Sequence, residues 1–176
     1  MGGKVAKLNA TKRSPHTTKL DQLEAQLAST TDPEALGALA REFHMVNYSL
    51  GHDIPAIINN PGIVDRATRG KVDANERASA AYASTGNIRH ALFHLFEGLD
   101  AFPGHGERER LAAGIAALLD THGPASATQL RTELAALPVV DDESEARQQF
   151  CDAVRRIKNA LDGDRLPRGS STPLPK

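Results

Sequence analysis

Three of the seven histidines fall in one stretch, GNIRHALFHLFEGLDAFPGHG, residues 86–106. Within it His90, His94 and Glu97 follow one another at helical spacing, which brings side chains onto one face. Imidazole nitrogens and a carboxylate are suitable zinc ligands. However, the HALFH run lacks the Glu that supplies the base in HExxH metalloproteases. Three ligands strung along one helix also span about 10 Å, too far for one small ion to touch all of them. No metal or other cofactor is therefore expected. If a metal were held, His90 and His94 would hold it, helped by His44 or His52.

Advancing about 100° per residue places Ile88, Leu92, Leu95, Leu99 and Phe102 on one arc. His90, His94 and Glu97 fall nearly opposite. The expectation is an apolar side turned to the core and a histidine side turned outward, toward water or a neighbouring molecule.

The residues HLFEGLDAFPG have a His, a Gly four later and a Gly ten later, namely His94, Gly98 and Gly104. In this the stretch resembles the phosphoacceptor motif of histidine-phosphotransfer domains. The resemblance covers about a dozen residues plus the general bundle architecture. It implies an exposed His94 as phosphoacceptor, with Gly98 leaving room for a response regulator. The family's Lys three after the His is Glu97 here, and its small polar residue after the Gly is Leu99. A carboxylate at that place repels a phosphohistidine. A second segment, LGHDIPAIINN, resembles the phosphoacceptor box of histidine kinases, in which an acid follows the His, as Asp53 follows His52. Pro55 and the missing Arg-Thr-Pro pattern depart from that box. His52 and Asp53 also form the first candidate for a binding or acid–base pair assembled in a loop.

Other chemistry has little to build on. The sole cysteine, Cys151, excludes an intrachain disulfide and a Cys-rich zinc site, and no His lies at helical spacing from it. There is no GxSxG, Gly-rich phosphate loop or DxD-type motif. LLDTHGPASATQLRTELAAL has the outline of a helix-turn-helix, with Gln129 and Arg131 near the start of the second helix. Glu133 and Asp120 oppose DNA there, and two packed bundle helices are the simpler reading. No catalytic residue is assigned, and a non-enzymatic role is favoured.

The formal net charge is −1, so the whole chain has no electrostatic reason to bind nucleic acid or an anionic membrane. Charge is uneven, though. The first 20 residues hold five Lys or Arg and no acid before Asp21, which reads as a solvated basic arm. No apolar run is long enough to span a bilayer, and no apolar segment of a secretory signal peptide is present. A cytoplasmic location is expected, and export without a cleaved signal is compatible with the acid-free N-terminus.

The elements that must position these residues are read from apolar spacing and caps. Leu20, Leu23 and Leu27 share a helical face. Asp32, Pro33 and Glu34 open a helix that Gly51 closes, with Leu36, Leu39, Phe43 and Leu50 as its stripe. Residues 51–70, broken by Pro55, Pro61 and Gly62, read as a long connection with one short turn around Ala56 to Asn59. A long helix then runs from about Val72 to Phe102, bent near Gly86. Further helices carry Leu111, Ile115 and Leu118, then Leu130, Leu134 and Leu137, then Phe150, Ala153, Ile157 and Leu161.

Helices with one apolar stripe each must bury those stripes together. The expectation is an all-α bundle of five or six helices over residues 18–162, with a disordered basic arm at 1–17 and a disordered Pro/Ser-rich tail at 163–176. Aromatic residues are only 4%, so aliphatic and small side chains must form the core. The expected function is a bacterial protein-interaction module: a regulator, an adaptor or a signal-less exported effector. Its protein partner would meet His90, His94 and Glu97 together with His52, Asp53 and the 51–70 connection. The phosphotransfer and DNA-binding readings stand as alternatives, and the sequence leaves the oligomeric state open.

Overall fold

The structure is a computed structural model that describes residues 14–122 together with Gln148, Asp152 and Arg155. Six α-helices and no strand occur among the described residues, as an all-α bundle requires. The expected helices beginning near Ser126 and Asp141, the second half of the helix-turn-helix outline, the flank of Cys151, most of the basic arm and the C-terminal tail lie outside them.

α1 (Pro15–Ser29) opens with Pro15 in its first turn and Ser14 accepting from the His16 amide at 3.3 Å. It therefore starts a few residues inside the segment expected to be a disordered arm. Ser-Pro is itself a start signal, with a side-chain acceptor followed by a pre-set φ. Leu20, Leu23 and Leu27 are buried, as their spacing demands. α2 (Pro33–Leu50) matches its caps: Asp32 accepts from the Ala35 amide at 2.8 Å and Gly51 closes the helix.

The expected long connection is mostly helix. α3 (Ile54–Asn59) is a short turn capped by Asp53, and α4 (Ile63–Ser84) begins straight after Pro61 and Gly62. The reading missed α4's first two turns because their buried side is built mainly from small residues. Ile63, Ala67, Gly70, Ala74 and Ala78 repeat at helical spacing, a stripe that carries little hydrophobic signal but lets helices approach closely. The closest approach is at Gly70, where a Cβ would stand 2.2 Å from Phe43 Cε1.

The expected bend near Gly86 is a full break. Gly86 has φ +76, a left-handed conformation that costs glycine little. Asn87 then caps α5 (Ile88–Leu99) by accepting from the His90 amide. α5 ends before Phe102, which has φ +49 and lies in the connection to α6 (His105–His122). Leu111, Ile115 and Leu119 of α6 are fully buried, and Leu118 is only partly so.

Two apolar clusters share α4. One joins α1, α2, α3 and α4 around Leu20, Leu36, Phe43, Leu50 and Ile63. The other joins α5 and α6 to Val72 of α4. Charged pairs reinforce the α4 contacts: Arg66 bridges Asp21 and Glu24 of α1, and Arg110 of α6 meets both carboxylate oxygens of Glu76 at 2.7–2.8 Å. α4 is thus the central helix on which α1, α2 and α5 pack.

Candidate functional site

The three residues expected on one outward face separate. His90 is exposed and Glu97 is half-buried, but His94 keeps only 7% of its surface. This corrects the expectation of an outward His94. The projection allowed α5 one packed side, whereas α5 is held on two. α6 takes Leu95 and Leu99, and the other side turns to α4 and α2. His94 lies in that second joint.

Its surroundings are specific. Asn75 of α4 is 1% exposed, and its Nδ2 donates to the Lys71 carbonyl at 3.0 Å. That leaves Asn75 Oδ1 as an acceptor, 2.8 Å from His94 Nδ1. The proton of the neutral ring therefore sits on Nδ1. Tyr82 stacks on the imidazole, centroids 5.5 Å apart and planes 10° apart, and Phe93 meets it edge-on. From α2, Gly37 faces the ring, and a Cβ there would come 2.9 Å from Cε1 and 3.5 Å from Nε2. Burial pushes the His94 pKa below the usual histidine value; nearby His90 lowers it further, Glu97 raises it and Arg41 lowers it.

A neutral ring enclosed by Asn75, Tyr82 and the α2 backbone is poorly placed to accept a phosphoryl group, because its free Nε2 faces Gly37. Gly98, the residue that would admit a response regulator, is buried, and a Cβ on it would meet Leu111 of α6 at 3.1 Å. Its smallness makes room for α6. His90 Nδ1 lies 2.9 Å from Asn87 Oδ1, so this ring reinforces the helix cap, and it also packs on Tyr82 with centroids 5.0 Å apart. Among the described residues no group of three or more His, Cys, Asp or Glu is arranged to hold a metal ion.

His52 and Asp53 also diverge. His52 is exposed in the turn after α2, and its ring meets Tyr48 edge-on at 5.1 Å. Asp53 caps α3 by accepting from the Ala56 amide at 3.1 Å, and its second oxygen accepts from His16 Nε2 at 3.1 Å. Sequence reasoning missed His16 as the partner. It lies 37 positions away on α1, and no local spacing could have found it.

What the reading did not single out is apolar exposure. Met45, Tyr48, Ile54 and Ile58 are 55–71% exposed. They belong to the C-terminal half of α2 and to α3, the segment that contains His52 and Asp53. No protein-family model, curated protein sequence or solved structure matches the chain. No helix among the described residues is long and apolar enough to cross a membrane.

Proposed function

We propose that the chain is a non-enzymatic helical module that acts by binding another protein, and that the α2–α3 surface is its contact. One observation carries the reading. Of the five large hydrophobic side chains exposed among the described residues, four (Met45, Tyr48, Ile54 and Ile58) fall between positions 45 and 58. Isolated exposed apolar side chains are ordinary, whereas their concentration on one segment marks interaction surfaces. Tyr and Met suit such a surface because they bring large contact area with adaptable packing. His52, edge-on to Tyr48, and the Asp53–His16 pair supply polar groups beside it. The proposed contact thus keeps the connection half of the sequence-derived surface and gives up His94, which is buried.

The test is capture from the native host with the wild-type chain and with Ile54→Asp/Ile58→Asp. A specific protein should be retained by the wild type and lost from the double variant, whose thermal unfolding stays close to wild type because both side chains are exposed. Equal retention by both proteins would place the contact elsewhere. Retention of nothing by either would remove the reading.

A further inference from the structure

The exposed apolar side chains of α2 and α3 form two short ridges. Met45 and Tyr48 stand three apart on α2, and Ile54 and Ile58 stand four apart on α3, spacings that put each pair on one side of its helix. With more than half of each residue outward, the four expose roughly 400 Å² of surface, the size of patch that marks a contact. The segment that carries them is also nearly free of charge. With histidines neutral, Asp53 is the only charged residue from Phe43 to Val64, and its carboxylate is already engaged by His16 Nε2 at 3.1 Å.

This lack of charge points to the occupant. A partner selected by electrostatic complementarity needs a patch of one sign to meet, and residues 43–64 offer none. Like charges are what keep a surface away from its own copies, and here none stand in that segment. The formal net charge of the whole chain is −1, so two copies hardly repel at a distance either. In a two-fold contact one surface serves both sides, and each of the two ridges finds an apolar counterpart on the other copy. We infer that, with no partner bound, two copies of this chain pair through this surface, α3 of each lying on α2 of the other. The inference rests on the α2–α3 contact proposed above and names what regulates it: the second copy competes with the partner for the same side chains. A stable dimer covers about 800 Å² per partner. The ridges supply about half of that, so the pairing is weak and reversible.

The test is sedimentation equilibrium of the purified full chain from micromolar to millimolar concentration, with no other protein present. A monomer–dimer equilibrium is expected. Tyr48→Lys alone and Ile58→Asp alone should each raise the dissociation constant about tenfold or more, because each sets an unpaired charge against the other copy's apolar ridge. Mixing the two variants should restore pairing, since one of the two contacts then joins opposite charges. Both residues are exposed, so circular dichroism should match wild type, and Met45→Lys with Ile54→Asp repeats the exchange at the neighbouring positions. A wild type that stays monomeric at millimolar concentration would overturn the inference, whether a foreign protein or this chain's own residues beyond 122 then cover the surface. So would dimers indifferent to both single changes, mixtures that pair no better than either variant alone, or association that continues past the dimer. A monomeric wild type that still captures a host protein through Ile54 and Ile58 would leave the proposed contact standing, so the two readings fail separately.

Discussion

His94 ties together three helices through one ring. Asn75 Oδ1 accepts a hydrogen bond from its Nδ1, Tyr82 covers one side, and Gly37 leaves just enough room on α2. Burial in this joint, more than any neighbouring charge, disfavours the charged form of the ring. Because the folded pKa lies below the ordinary value of about 6.5, the unfolded chain binds more protons between the two values. Stability from this site is therefore complete above about pH 6.5 and is lost as pH falls toward the depressed pKa. Urea unfolding at pH 7.5 and 5.5 checks this. The wild type should lose stability on acidification, and His94→Gln, which keeps a donor for Asn75, should lose less. His94→Leu leaves Asn75 Oδ1 without its partner and should cost about 1–3 kcal/mol at pH 7.5. A fall with pH that is the same in wild type and His94→Gln would contradict the role given to the ring.

Between elements, stability rests on how closely α2 and α4 approach. Gly70→Ala adds a methyl where Phe43, fully buried, already stands. The gain in helix propensity, about 1 kcal/mol, is smaller than the overpacking cost of up to about 3 kcal/mol. Net destabilisation is the expected result in denaturant unfolding, and Phe43→Leu in the same chain should recover part of it. At the other end of α4, Arg77 donates to the carbonyls of Leu27 and Thr30 and so closes the end of α1. Arg77→Ala should destabilise by about 1–3 kcal/mol, with the fastest rise in amide exchange along α1. These elements also show what a sequence reveals. α1 and α2 were legible because Leu spacing and Asp32-Pro33 are local signals. The start of α4 was not, because Ala67, Gly70 and Ala74 pack by being small, which no apolar periodicity records. The side of α5 that carries His94 was misread because a projection of one helix cannot count its neighbours. The His16–Asp53 pair was invisible because only the tertiary path of α1 creates it.

For the whole molecule, the arrangement separates an interior role for the central histidine from the exposed α2–α3 surface proposed as the contact. If the exposed apolar residues of α2 and α3 form a contact, removing them should be nearly free in the isolated chain. Ile54→Asp/Ile58→Asp should raise the solubility limit while changing unfolding free energy by no more than about 0.5 kcal/mol per site. A larger loss would mean that those side chains serve the core. The central claim is that the histidine joint is internal and structural, which is why the proposed contact is sought on the α2–α3 surface instead. It is tested most directly by a pH titration of the imidazole nitrogens followed by ¹⁵N–¹H correlation. The account predicts that His94 carries its proton on Nδ1 and takes up its second proton only at a lower pH than an ordinary histidine. A His94 protonated on Nε2, or titrating near 6.5 like a solvated ring, would contradict it.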